Sequence, residues 1–543
     1  MDLAAELARF NPDHALANWI TDAVQTLVDQ AQKDSVEARR QITLRDTELF
    51  TAQTKIQALT LELAHLRRMR FGVRTEALTA EQRDLFQETL ASDLAAAEAE
   101  LAKRQAHTSA ITEPVPHAPR ARAGRQPLPD HLPRIEHRHE PESCTCGQCG
   151  NDLTKIGEDI SEQLDVEPAR FFVHRHIRPQ YVCRTCETVS AAPIPAAVID
   201  GGLAAVGLYV WVLVGKYLDH LPLYRLEQIA ARDAVILSRS TMAQWVGRIG
   251  VALQPLADRL VELLLERQVL HADETPVAQL DPGKGKTHRA YLWAYRSNVL
   301  QTGPPIVVFD YQTSRAGRHA QHFLAGWLGH LMVDDFAGYK ALFADGLGLA
   351  TGVTELGCVA HARRKFFDMN SAQANPIAIE ALNRIAALYV IEAQGRDMTV
   401  EARTQWRQAQ AQPLLDSMQD WLRRTRVMVA NGGGLARAID YSLKRWAALS
   451  RYATDGRLPI DNNPVENIIR PIAIGKKNWL FTGSERAGKR AAAIQTLLGT
   501  AKLNGLDPAA WLRDTLEKLP ACLNSQIDSL LPLRAEPLHQ STS

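Results

Sequence analysis

Three acidic residues stand where a carboxylate can do chemistry: Asp273 in VLHADETPV, Asp334 in GHLMVDDFAGYKAL and Glu466 in LPIDNNPVENIIRP. The first two belong to apolar, strand-like runs, and the third opens a helix. Carboxylates held at such ends can share two divalent cations about 3.5–4 Å apart, leaving positions open for water, an attacking oxygen and a leaving oxygen. The chemistry this suits is phosphoryl transfer with Mg2+ or Mn2+.

A second set of candidate ligands is the cysteines. Of seven, five lie between 144 and 186, which in a chain expected to be cytoplasmic points to metal and not to disulfides. Cys146/Cys149 and Cys183/Cys186 form two Cys-x-x-Cys pairs. The alternating stretch between them reads as a β-hairpin, the pattern of a four-thiolate Zn2+ ribbon. Cys144 is either a spare thiol or an alternative ligand of the first pair. Cys358 and Cys522 are isolated and read as packing residues.

The elements that must hold these residues divide the chain into a multidomain α/β protein. Residues 1–106 read as helical, with Ile42, Leu49, Ile56 and Leu63 recurring every seven residues and Ala52, Leu59 and Leu66 at d positions. This is a short coiled-coil seam, with Arg45 at one d position, or else the apolar face of a bundle helix. Residues 107–140 are rich in Pro, Arg and His and read as an extended linker that is solvated or lies along phosphates. The zinc ribbon is expected over 141–195. From 200 to 266 a helix at 223–231 and a second one N-capped near Ser240 resemble a helix-turn-helix; Arg239, Gln244 and Arg248 would face a DNA groove.

The catalytic core is expected over 267–490. Three strand candidates, an amphipathic helix (315–325), a short strand ending in Asp334, a small helix and a fifth strand follow in the order of a ribonuclease-H-like fold. A helical insertion at about 372–450 separates them from Glu466. In DNNPVEN, Asn463 reads as N-cap and Pro464 as the first helical residue, so Glu466 is either a metal ligand or the return partner of a capping box. Residues 491–543 read as a C-terminal helical region and tail.

Composition sets the frame. The chain has 543 residues, 46% hydrophobic and 23% charged, with no apolar run of membrane length and no signal-peptide pattern at its start. A cytoplasmic protein with no membrane association is expected. The net charge of +1 decides nothing about nucleic acid, but residues 466–490 carry six basic and two acidic residues. Arg470 lies one turn past Glu466, with Lys476 and Lys477 beyond it; these suit phosphates. Trp479 could stack on an unpaired base or be a core indole. His361, Arg363, Arg364 and Lys365 read as phosphate contacts or a solvated face.

The stretches HADETP, DDFAGY, GCVAHARRKFFD, IDNNPVENIIRPIAIGKKNWLFTGS and AKLNGLDPAAWL resemble the large transposase of the bacterial insertion-sequence 66 family, a DDE-type enzyme. The likeness runs in order through nearly the whole chain. It implies a zinc-binding domain, a ribonuclease-H-like core with a helical insertion, and an acid triad at Asp273, Asp334 and Glu466. Asp335 adds an ambiguity; Asp334 is favoured by its spacing of five residues from Tyr339. The implied activity is metal-dependent cleavage of element ends and their joining to target DNA, by a homo-oligomer that associates with the nucleoid and works with small accessory proteins. A DNA-binding protein without catalysis and a nuclease without strand transfer are the alternatives.

Overall fold

The computed structural model describes residues 132–140, 151–167, 170–193, 195–281, 286–343, 352–372 and 375–534, with Leu128, Asp130 and six residues between 30 and 60. The chain forms two compact units, one of residues 1–69 and 97–122 and the other of 70–96 and 123–543. In the first, Ile56 and Leu59 are helical and Leu59 is 1% exposed. Ile42, Arg45, Leu49, Ala52, Leu63 and Leu66 of the expected seam lie outside the described residues, as do Cys144, Cys146 and Cys149.

The second unit begins with a small sheet. Strands β2 (Thr154–Glu167) and β3 (Arg170–Val182) form a long antiparallel hairpin. Two short strands share the other edge of β3: β1 (Arg134–Arg138) runs parallel to it, and β4 (Val189–Ala191) pairs antiparallel with its end. The end of the expected linker is therefore a strand, because β3 is too long to leave its edge unpaired.

Three helices follow: α1 (Val206–Tyr217), α2 (Leu223–Arg232) and α3 (Arg239–Leu265). The N-cap of α3 is Ser238 and not Ser240; its hydroxyl accepts from the Thr241 amide at 3.2 Å. Leu237 and Met242, the two positions a hydrophobic staple uses around this cap, are both buried in one core. Much of α3 is central to that core, where Trp245, Ile249, Leu253 and Leu260 pack with residues of all three helices.

The second sheet consists of β5 (Val269–Asp281), β6 (Lys286–Ser297), β7 (Val307–Gln312), β8 (Gly329–Val333) and β9 (Val353–Gly357). Its order is β7-β6-β5-β8-β9; β5, β6 and β7 are antiparallel neighbours, whereas β8 and β9 run parallel to β5. Helix α4 (Arg318–Phe323) is shorter than expected, and Gly326 at φ +78° turns the chain just beyond it. The small helix after Asp334 is a 3-10 turn, Ala337–Leu342.

Helix α5 (Val359–Ala372) leaves β9. Five helices then form the insertion: α6 (Pro376–Gln394), α7 (Val400–Trp406), α8 (Gln412–Met428), α9 (Gly434–Lys444) and α10 (Trp446–Ser450). It shares a core with the sheet, since Val269, Met332 and Leu356 lie in one buried cluster with Phe366, Ile385, Leu415 and Leu449. The chain returns through α11 (Asn463–Trp479) and ends with α12 (Glu485–Leu503) and α13 (Pro508–Lys518). Helix α12 crosses residue 491, where the core was expected to end. It covers edge strand β7: the Thr496 and Thr500 hydroxyls accept from the Phe309 and Val307 amides at 2.8 and 3.2 Å. Among the described residues no helix is long and apolar enough to cross a membrane.

Candidate active site

Strands β5 and β8 pair in parallel up to His271↔Met332. Carried on by two residues, that register brings Asp273 level with Asp334, which directly follows β8. The Asp334 carboxylate accepts from the Phe336 amide at 2.8 Å, a local turn that fixes its side chain. Asp335 points elsewhere: it pairs with Lys340 at 2.9 Å and with Arg445 at 3.5 Å. Glu274, next to Asp273, is also committed. It accepts from Arg315 at 2.7 and 2.5 Å and from the Tyr339 hydroxyl at 2.9 Å, and it ties the loop after β8 to β5.

Helix α11 brings in Glu466. Its N-cap is Asn462 and not Asn463, which makes Asn463 and Pro464 the first two helical residues and Glu466 the fourth. A capping box needs its acid at the third position, bonded to the cap's amide. Here that amide donates to Cys358 Sγ at 3.2 Å, so Glu466 does not close a capping box. The Asn462 side chain, fully buried, turns inward instead: Oδ1 accepts from His271 Nδ1 at 3.0 Å and Nδ2 donates to the Ala272 carbonyl at 2.9 Å. Arg296 adds a second tie, donating to the Pro464 carbonyl at 2.7 Å.

The carboxyls act on one another. Burial, and then the charge of Glu274 and those of Asp334 and Glu466, push Asp273 up to about 8. Glu466 Oε1 and His361 Nδ1 are buried atoms without a hydrogen-bond partner, 3.6 Å apart. With Cys358 Sγ they form the one group of three candidate metal ligands among the described residues. Burial drives the Cys358 thiol up to about 12, so it stays protonated and serves as acceptor to Asn462. Crowded carboxyls and an unpartnered carboxylate oxygen fit a divalent cation. A cavity of about 340 Å3 opens beside Glu466, lined by His361, Arg363, Arg364, Phe367 and Asn463 among others.

The remaining expected contacts divide by position. Arg470 is exposed on the Glu466 face of α11, and Lys477 is exposed further along. Lys476 instead donates to the Pro276 carbonyl at 2.9 Å and anchors the end of α11 to β5. Trp479 is half-buried against the cluster of Val277, Leu292 and Ile472. It lies about 20 Å along the helix from Glu466, too far to stack on a base beside that carboxylate. In α3, Arg239 is tied to Glu227, whereas Gln244 and Arg248 form a half-buried stripe flanked by buried residues. Lys365 is exposed above the Tyr441 ring, 4.4 Å from its centre.

At the small sheet, Cys183 and Cys186 flank a tight turn after β3. The Cys183 amide donates to the Thr188 carbonyl at 3.0 Å, and Glu187 donates back to the Cys183 carbonyl at 2.7 Å. Glu187 takes φ +57°, the left-handed conformation that lets the turn close.

Residues 201–490 match the family model described as Transposase IS66 family. The chain belongs to the IS66 transposase family. Three further models of this transposase match in order: residues 58–136 the one described as Transposase C of IS166 homeodomain, 143–187 the zinc-finger binding domain, and 496–533 the IS66 C-terminal element. The transposase is 37% identical over 503 residues to the uncharacterized protein y4qI of Sinorhizobium fredii, covering 90% of each chain. Against y4jD of the same organism it is 37% identical over 412 residues, covering 75% of this chain and 81% of the relative. The zinc-finger match spans all five clustered cysteines of the transposase, in keeping with structural zinc there. The transposase match starts at 201 and so includes α1, α2 and α3.

Proposed function

We propose that this transposase cleaves the ends of an insertion element and joins them to target DNA by two-metal phosphoryl transfer on a ribonuclease-H-like core. The observation that carries the reading is that Asp334, level with Asp273 by strand register, and Glu466, at the start of α11, both act on the Asp273 carboxyl and raise it. The strand order β7-β6-β5-β8-β9, three antiparallel and two parallel, supports the fold.

Mg2+ or Mn2+ at this site would supply an activated oxygen nucleophile and neutralise the leaving oxygen. Asp273, Asp334 and Glu466 would hold it. Asn462 holds the first and third of these at fixed separation, and Glu274 with Arg315 and Tyr339 fixes the loop of the second. Arg363 and Arg364 line the cavity beside Glu466 and orient a phosphate there by charge-assisted hydrogen bonds. Arg470 extends the basic path, and Gln244 and Arg248 contribute backbone contacts to the duplex. The partners in this reading are double-stranded DNA, a second copy of the chain that holds the other element end, and small accessory proteins.

The test uses full-length protein, a duplex ending in the inverted repeat that flanks the gene, labelled 3′ ends, and Mg2+ or Mn2+. Cleavage followed by joining is expected. Asp273→Asn, Asp334→Asn and Glu466→Gln should each slow cleavage about 1,000-fold, equivalent to about 4 kcal/mol, with gel-shift binding retained. Unchanged cleavage in these variants overturns the assignment. Cleavage that is never followed by joining makes the protein a nuclease.

A further inference from the structure

The small sheet carries a histidine array that the zinc-finger cysteines do not explain. Strands β1 and β3 pair in parallel with Ile135 opposite His174 and His137 opposite His176. Side-chain alternation puts His137 and His139 on the same face as His174 and His176. The rings interleave in the order 174, 137, 176, 139, with centroids 4.9, 5.1 and 5.4 Å apart along the series.

The array consists of two unlike pairs. In the inner one, buried Asp165 accepts from His174 Nε2 at 2.7 Å, which leaves His174 Nδ1 as the acceptor for His137 Nε2 at 2.7 Å. Every polar atom on that path has a partner. The outer pair, His139 Nε2 and His176 Nδ1, is hydrogen-bonded ring to ring at 3.1 Å, and among the described residues no carboxylate is bonded to either. Both rings line a cavity of about 200 Å3, together with Ser161 and Gln163 of β2 and Glu517 of α13. Two nitrogens on one tetrahedral zinc-class ion stand about 3.3 Å apart, so the pair is already near ligand spacing.

We propose that His139 and His176 bind a divalent transition-metal ion of the zinc class, separate from the cysteine site, with its remaining positions open to water in the cavity. Two imidazoles with oxygen donors make a borderline set that selects Zn2+, Co2+, Ni2+ or Cu2+ over Mg2+. Burial and the neighbouring imidazoles hold His176 down to about 4, so its ring is neutral and its lone pair available at neutral pH. Arg178 also lines the cavity, but its guanidinium is engaged by Asp159 and by the Ala192 carbonyl. Cys183 directly follows β3, seven residues and about 23 Å of extended chain beyond His176, so one ion cannot serve both sites. The ion would fasten β1, which among the described strands pairs with β3 alone, to the zinc-finger sheet.

Cobalt titration of the full-length protein, carried out in the Glu466→Gln background to weaken the acid site, tests this. Expected is one equivalent of Co2+ beyond the thiolate-bound metal, with visible d–d absorption but no added thiolate charge-transfer band. His139→Ala and His176→Ala should each weaken that equivalent at least tenfold, and the double variant should lose it. The charge-transfer band of the cysteine site, unchanged in the variants, reports that the module remains folded. His139→Phe, which keeps the ring stack, should lose the metal as well. Absence of the extra equivalent, or its survival in the double variant, overturns the proposal and leaves the array as a hydrogen-bonded stack.

Discussion

Asn462 Nδ2 donates to the Ala272 carbonyl at 2.9 Å, and this bond joins the start of α11 to the strand that carries Asp273. The same side chain accepts from His271 Nδ1 at 3.0 Å. Two acid-bearing elements almost two hundred residues apart thus meet through one fully buried amide. Burial holds His271 down to about 4, so it stays neutral and its Nδ1 proton is free to make this bond.

Asn462→Ala leaves a buried donor on His271 and a buried acceptor on Ala272, at a cost of about 2–4 kcal/mol. Thermal denaturation should show the loss. Cleavage should fall even below the transition, since Glu466 is no longer held against β5. A variant with wild-type Tm and activity would mean that the Arg296 and Lys476 ties suffice to hold α11 in place.

The sequence made the acids legible but not what positions them. Asp273 and Asp334 end or interrupt apolar runs whose alternation reads directly as strands, and Glu466 follows an Asn-Pro helix start. Asn462, His271 and Glu274 gave no local signal, because their partners are fixed by tertiary pairing and not by spacing. Cap positions were displaced for a related reason. Whether Ser238 or Ser240, Asn462 or Asn463 begins a helix depends on what is buried beside it: Leu237 in one case, and the Cys358 and His271 partners of Asn462 in the other. Lys476 and Trp479 gave no local sign of their partners either, since the Pro276 carbonyl and the Val277–Leu292 cluster lie on strands about 200 residues earlier in the chain.

Asp273 carries a pH signature. Its carboxyl ionises near 8 in the fold, against the usual 3.8. Between those values the native state holds a proton that the unfolded chain has released, so stability of the metal-free protein falls as pH rises from about 4 to about 8. Glu274 and Asp310 are shifted upward too, so the contrast with Asp273→Asn isolates this residue. The variant should show a shallower decline in urea titrations at stepped pH. An equal slope in both proteins would place the shift elsewhere.

Arg407, in the insertion, is fully buried. It pairs with Glu392 at 2.8 and 2.5 Å and donates to the Tyr452, Asp455 and Leu458 carbonyls, just ahead of the segment that leads into α11. Arg407→Leu strands a buried carboxylate and should cost about 3–5 kcal/mol. Arg407→Lys keeps the charge without the planar fork and should cost less. Adding Glu392→Leu to Arg407→Leu should recover part of the loss in urea denaturation. No recovery would assign the cost to the three carbonyls.

Cys183 is buried at the turn after β3, within the zinc-finger match. Cys183→Ser should lower the zinc content of freshly purified protein from about one per chain and unfold the small sheet. The small sheet shares one buried cluster with α1–α3 and the large sheet, through Leu164, Phe171 and Val173, so the melting transition of that core should fall with it. Metal analysis beside calorimetry checks both parts, and an unchanged zinc content would remove Cys183 from the ligand set.

Asp334 and Asp335 are adjacent yet differently engaged, and this gives the most direct control on the proposed triad. Asp334 lies level with Asp273 by strand register and contributes to the upward shift of that carboxyl. Asp335 is exposed and pairs with Lys340 and Arg445. Asp335→Asn should therefore change stability by at most about 1 kcal/mol and keep most strand cleavage, because Asp335 is itself solvent-screened and buried Arg445 keeps Glu355 at 2.6 Å. Asp334→Asn should show the full loss of about 1,000-fold in cleavage with little change in Tm, since its side-chain carbonyl can still accept from the Phe336 amide. Cleavage kinetics and calorimetry on the two variants in parallel decide the matter. If Asp335→Asn is the inactive one, the loop after β8 must turn by one residue when the site binds its cation.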